Sequence, residues 1–242
     1  MSLRNKNNSD NNWMSFSDIM TGLMVIFMFI AISYMIQAEK DRKANQDFVE
    51  SYFVIKERLF NELNNEFKSD FKKWKVEIDE DLSIKFTNPD ILFKSGSKKL
   101  RNEFKVILND FLPRYFDIIL DSKFVDHISE VRIEGHTDPS PDWREDSDPY
   151  MGNVKLSQQR STQVLKYFRA MNYFRQLSNN SENMLTYWLT ANGLSFGRTL
   201  DANKELTFIS GKAVDYDLSR RVEFRIVTKS EGILKTLKRK MQ

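Results

Sequence analysis

The sequence predicts an α/β (α+β) domain, with helices on one mixed sheet, preceded by a single N-terminal transmembrane helix and a helical stalk. Three observations predict it. Ile19–Ile36 is an almost wholly apolar run. Residues 38–74 contain neither Pro nor Gly and space their apolar residues as a helix does. From Val76 onward, segments of alternating polarity are interleaved with segments of helical period, the pattern of helices layered on a sheet.

Residues 1–12 are polar and Asn-rich and are expected to form a short tail. The span follows over 13–37. Eighteen helical residues at about 1.5 Å each cover roughly 27 Å, close to the thickness of a bilayer's hydrocarbon core. Trp13 and Tyr34 stand near its ends, as aromatic belt residues do. Asp18 carries the single charge between Asn11 and Gln37. A carboxylate at membrane depth is costly, so by default it faces protein or water and handles ions. Thr21 and Gly22 share its helix face. Gly22 admits a close neighbouring helix, and Thr21 brings a hydroxyl to the carboxylate. Asp18 as an N-cap at the membrane interface is the competing reading. A buried helix of a soluble domain fits poorly, because nearly every face is apolar. A cleaved signal peptide fits poorly too, because the run is long and no A-x-A-like site follows. Both flanks carry basic residues, Arg4 and Lys6 before and Lys40, Arg42 and Lys43 after, so charge alone does not orient the span.

The stalk is expected over 38–75. Phe48, Tyr52, Ile55 and Leu59 form a short a/d seam. Phe60, Leu63, Phe67, Phe71 and Trp74 continue an apolar stripe in a shifted phase. The seam fits pairing with a second copy or packing on the chain's own domain. Within 76–228, Leu82, Ile84 and Phe86 alternate as a strand, and Asn88-Pro89-Asp90 signals a turn. Leu100–Leu120 is helical in period, with Pro113 expected to kink or break it. Val131–Glu134 reads as a strand, Leu156–Met171 as a helix and Leu185–Thr190 as a strand, with Gly193 and Gly197 in the loop after it. Val222–Val227 is the last alternating strand, and 229–242 is a basic tail holding Lys235, Lys238, Arg239 and Lys240.

A formal net charge of +3 is too small to point to nucleic acid. The absence of cysteine removes disulfides and thiolate metal sites. His127 and His136 are the two histidines, and neither has a carboxylate cluster at ligand spacing in the sequence, so no metal is expected and His136 reads as a loop-packing residue. No nucleophile–base pair is legible. Ser157 reads as an N-terminal helix residue. No enzyme, no catalytic residue and no cofactor are expected.

Three motifs remain. Gly135-His136-Thr137-Asp138 follows a strand, Asn153-Val154-Lys155-Leu156-Ser157-Gln158-Gln159-Arg160 enters a helix, and Arg220-Arg221-Val222-Glu223 enters the last strand. In this order they resemble the OmpA-like peptidoglycan-binding domain, over about residues 76–228. The resemblance implies that Asp138 takes the ammonium of a diaminopimelate stem peptide and Arg160 its carboxylate, where a guanidinium can bind bidentately. Asn153 and the backbone of Thr137 and Asp138 would complete the hydrogen bonds. Of Arg220 and Arg221, one would face the pocket and the other pair structurally, with the choice left open. Three features depart from the family. The loop Pro139–Gly152 is long and acidic, with Asp142, Glu145, Asp146 and Asp148; Ser219 stands where the family has Asn; and Ala191-Asn192-Gly193 only loosely matches a Gly-x-Gly loop.

A membrane helix with an early Asp, a stalk and such a domain resembles the MotB-like stator subunits. The stretch Ser17-Asp18-Ile19-Met20-Thr21-Gly22-Leu23-Met24 is most similar to the MotB-like subunits of Zorya anti-phage systems. This implies an ion-driven motor subunit in the bacterial inner membrane, with a cytoplasmic N-terminus and a periplasmic C-terminal domain. It implies a pentameric ZorA/MotA-like membrane partner and a second copy of this chain. It implies an ion path through Asp18 and Thr21, carrying protons, with sodium as the alternative. A flagellar stator subunit and a passive wall tether are the rival readings. A TolR- or ExbD-like transducer shares the Asp helix but lacks the three motifs.

Overall fold

The structure, a computed structural model, describes residues 9–94, 96–140 and 148–229. The chain divides into two compact units, Met1–Tyr52 and Phe53–Gln242. Helix α1 spans Ser9–Phe67. Its stretch Phe16–Ala44, which holds an 18-residue window with a mean hydropathy of 2.3, is long and apolar enough to cross a membrane.

In the second unit, α1 is followed by α2 (Phe71–Trp74), β1 (Val76–Ile78), β2 (Ser83–Phe86), α3 (Pro89–Leu92), α4 (Asn102–Ile119) and β3 (Ile128–Gly135). Then come α5 (Pro149–Ala170), α6 (Asn172–Arg175), α7 (Asn179–Trp188), β4 (Leu189–Gly193), α8 (Thr207–Ser210), α9 (Tyr216–Ser219) and β5 (Val222–Thr228). The sheet order is β1-β2-β5-β3-β4. β3 and β4 run parallel and the other neighbours antiparallel, so the sheet is mixed, as expected. The core is rich in aromatics. Phe111 of α4 meets Phe224 of β5 and Phe86 of β2, each with ring centroids 5.1 Å apart, and Phe116 stacks on Phe168 of α5 at 4.2 Å.

Several expectations shift. The second compact unit begins at Phe53, so it takes in part of the expected stalk ahead of residue 76. Leu59, Leu63, Phe67 and Trp74, expected in a stalk, are buried in its core. Ile55 packs against that core as well, so half of the a/d seam serves the chain's own domain. Phe48 and Tyr52, the other half, lie outside the residues whose side chains are described. Arg114 of α4 fastens this stretch. Its guanidinium lies 4.7 Å from the Phe67 ring and donates to Glu66 and Asp70. Pro113 neither breaks nor ends α4, which runs through it. Leu185–Trp188 closes α7 rather than forming a strand, and only Leu189 onward pairs with β3. Leu185 and Trp188, three apart, are both buried, which is a helical and not an alternating spacing. Asn88-Pro89-Asp90 opens a single helical turn, with Pro89 at its first position. α5 starts at Pro149, well before Leu156, because Asp148 caps it by accepting from the Tyr150 amide. Asp148 is therefore a cap, while Asp142, Glu145, Asp146 and the basic tail lie outside the described residues.

Candidate functional site

Two glycines bring α5 onto the sheet. A Cβ on Gly135 would lie 2.3 Å from the Ser157 carbonyl oxygen, and one on Gly193 would lie 2.3 Å from the Gln158 amide nitrogen. Only glycine permits that approach. Ser157, expected near a helix start, lies inside α5 and clamps it. Its hydroxyl donates to the Asn153 carbonyl at 2.8 Å and accepts from the Ser195 amide at 3.0 Å. Gln158 closes both ends of its side-chain amide on β4, accepting from the Gly193 amide and donating to the Ala191 carbonyl, each at 2.8 Å. The helix motif thus sets α5 against the ends of β3 and β4 and holds Asn153 and Arg160 in place.

Asp138 is buried beside Arg220. The Arg220 guanidinium donates to Asp138 Oδ2 at 2.8 Å, and the Ser140 amide donates to Oδ1 at 2.7 Å. Burial opposes ionisation of Asp138, but the hydrogen bonds from Ser140 and Arg220 outweigh it and hold its pKa below the usual carboxylate value. Arg220 also pairs with Asp217. Asn153 donates to the carbonyls of Ser140 at 3.0 Å and Pro149 at 2.9 Å, and the Thr137 amide donates to the Ser195 carbonyl at 3.0 Å. Both residues shape the loop that carries Asp138, where the resemblance implied donors turned toward a ligand.

A cavity of about 190 Å³ opens next to this ion pair. Arg101, Arg160, Arg220 and Arg221 line it, with His136 and an apolar wall that includes Phe93. Arg160 is nearly buried, lies 5.1 Å from the Phe93 ring, and donates its Nε–H to the Ser97 carbonyl at 3.1 Å. The structure also separates the two neighbouring arginines. Arg220 reaches Asp138, whereas Arg221 is buried and held by Glu223, by the Ser219 carbonyl at 3.3 Å and by the Arg198 carbonyl at 3.0 Å.

His136, buried as a packing residue would be, joins the cavity to a buried charge cluster. Glu134 and Glu223 face each other across the β3–β5 register. His136 Nε2 lies 3.8 Å from Glu134 and 3.6 Å from Glu223, and one ligand atom from each residue falls within 4.8 Å of the others. This is the carboxylate cluster that sequence spacing did not show. Two acids in direct register repel, and Arg221, paired with Glu223, together with Arg198, 3.7 Å from Glu134, supplies the compensating charge. Burial, and then Arg221, depress the pKa of His136, so the imidazole is neutral near pH 7.

The chain is 35% identical over 235 residues to the Zorya protein ZorB of an Escherichia coli strain, an alignment covering 95% of this chain and 93% of that one. The chain belongs to the ZorB family. No family model matches it. Among solved structures, a MotB-like protein from Desulfovibrio vulgaris is 19% identical with a TM-score of 0.50, covering 74% of this chain and 98% of that one. The cell wall anchor of the T6SS from Pseudomonas aeruginosa is 23% identical with a TM-score of 0.45, covering 69% and 97%.

In this ZorB-family chain the other expected site residues, Asp18 and Thr21, lie on the apolar helix of the first unit. Both are exposed there, as is every residue from Phe16 to Ala44. The Thr21 hydroxyl donates to the Ser17 carbonyl at 2.8 Å, so its hydrogen turns to the helix backbone and its oxygen remains as an acceptor. Sequence reasoning missed Arg101, Phe93, Glu134, Glu223 and Arg198. Glu134 with His136, and Arg221 with Glu223, are two residues apart, the strand spacing that puts side chains on one face. That signal was available. Nothing local marked Arg101 as a neighbour of Arg160.

Proposed function

We propose that this chain is the wall-gripping, ion-carrying subunit of a membrane motor that acts in anti-phage defence. Membership of the ZorB family supports the defence role. The observation that carries the wall-gripping part is the arginine-lined cavity beside the Asp138–Arg220 pair. A diaminopimelate end presents an ammonium and a carboxylate on one carbon, and such a ligand calls for an anion and a cation held side by side. Arg160 takes the carboxylate. The ammonium takes Asp138, displacing Arg220 from it. Thr137 and Asn153 hold the loop, and Arg221 forms the floor.

The apolar helix supports a single-pass position in the inner membrane, with the N-terminus in the cytoplasm and the second unit in the periplasm. Asp18 is the ion-binding carboxylate and Thr21 an accessory acceptor. The ion is a proton, with sodium the alternative that Thr21 would favour. A pentameric ZorA/MotA-like subunit surrounds the helix, and a second copy of this chain stands beside it. Neutralising and recharging Asp18 changes its contacts with that ring, which steps around the anchored chain.

Phage plating on cells that carry the gene with its native neighbours tests the motor. Protection by the wild type that disappears in Asp18→Asn supports it. Protection that survives leaves a passive tether. Retention on purified sacculi tests the grip: Asp138→Ala with Arg160→Ala is expected to abolish it, and unchanged retention rejects it.

A further inference from the structure

We propose that Arg101 is a second anion-reading group of the cavity, so that the pocket recognises a wall peptide through two carboxylates. This rests on the wall-binding reading above and deepens it. The cavity holds more cationic capacity than one zwitterionic end of diaminopimelate uses. Arg221 is satisfied by Glu223 and two carbonyls, and Arg220 keeps its pair with Asp217 when the ammonium takes Asp138. Arg160 is the guanidinium assigned to the first carboxylate. Arg101 lines the same cavity, and its buried Nε has no hydrogen-bond partner among the described residues. The Nε has no accessible surface of its own, so it is the terminal nitrogens of this cavity-lining guanidinium that a carboxylate would meet.

The fold explains why Arg101 is there. Phe93 and Leu100 pair as an isolated bridge, and the Arg101 amide donates to the Leu92 carbonyl at 3.1 Å. The chain from α3 therefore turns back at the cavity rim, and α4 starts there with Arg101 as its N-cap. Pro89, Leu92 and Phe93 give the cavity an apolar wall suited to an aliphatic amino-acid stem, and the four guanidiniums outnumber the single carboxylate of the lining, Asp90. A planar guanidinium favours a carboxylate, which it can bind with two parallel hydrogen bonds. The second carboxylate can come from diaminopimelate itself or from the adjoining D-glutamate.

Calorimetric titration of the detergent-solubilised full chain separates these sources. The probes are free meso-diaminopimelate, the tripeptide L-Ala-γ-D-Glu-meso-diaminopimelate, and the same tripeptide amidated on the D-glutamate α-carboxylate. Arg101→Gln is expected to weaken tripeptide binding about ten-fold. If free diaminopimelate loses as much, its own second carboxylate is the one read. If only the tripeptide loses, and amidation costs the wild type the same factor but the variant nothing, the D-glutamate is read. Arg101→Lys, which keeps the charge but not the fork, is expected to recover only part of the loss. Unchanged affinity of Arg101→Gln for every probe overturns the second subsite while leaving the wall-binding reading intact. Failure of the wild type to bind any probe overturns both.

Discussion

The two units of this chain treat charge in opposite ways. Along Ile19–Ile36 the helix is almost wholly apolar and exposed on every face, and Asp18, just before it, has no cationic partner among the described residues. In the 53–242 unit charged groups go inside, but with partners: Asp138 with Arg220, Glu223 with Arg221, and Glu134 near Arg198. A buried charge in a folded domain is tolerated when it is paired and hydrogen-bonded. The carboxylate on the apolar helix finds no such partner among the described residues, which is the setting in which the proposed assembly contact or ion would act. Among the described residues the first unit leaves this carboxylate uncompensated, whereas the second carries its own compensation.

The largest effect is expected from breaking that compensation. Arg221→Met leaves Glu223 buried opposite Glu134 with its guanidinium removed. Denaturant unfolding of the full chain should show a loss of about 3–5 kcal/mol, the usual cost of an orphaned buried charge. A loss of a few tenths would mean that the pairing is incidental. Backbone approach gives the next contrast. Gly135→Ala pushes a methyl into the Ser157 carbonyl and is expected to cost about 1–3 kcal/mol. Gly22→Ala meets nothing within 4 Å and should leave unfolding unchanged, while any loss of phage protection would mark Gly22 as a helix contact in the assembly.

A smaller effect follows from titration. The folded pKa of His136 lies below its unfolded value of about 6.5. The unfolded chain therefore binds the proton first, and stability present above pH 6.5 declines as the pH falls toward the folded value. His136→Gln should flatten that part of the profile, measured as the unfolding midpoint between pH 7.5 and 5. Asp138 has the same sign at lower pH: its contribution is complete above the ordinary carboxylate value and is lost as the pH falls through its depressed one. The smallest stability effect belongs to Asp18→Asn, expected within about 0.5 kcal/mol because the group is exposed and unpaired in this helix. A large destabilisation there would erase the contrast between the two units.

The sequence by itself determined whatever depends on near neighbours. An apolar run long enough for a bilayer, one carboxylate within it, alternating strands and three motifs in a family's order are local patterns, and local patterns set local geometry. Even some misreadings were local and correctable. Asp148-Pro149 is a helix-start signal, and Leu185 with Trp188 keeps a helical spacing. Tertiary structure alone decided the rest. Whether Leu59, Leu63 and Phe67 face a second copy or their own core depends on what packs beside them, and a stripe of apolar residues is the same in either case. Arg220 and Arg221 are adjacent in sequence, yet the turn before β5 sends one to Asp138 and the other to the buried Glu223. Glu134 meets Glu223, and Arg101 meets the cavity of Arg160, only because strand order and chain reversal bring distant segments together. Those contacts are set by the summed packing of the whole domain, and no short window of residues contains it.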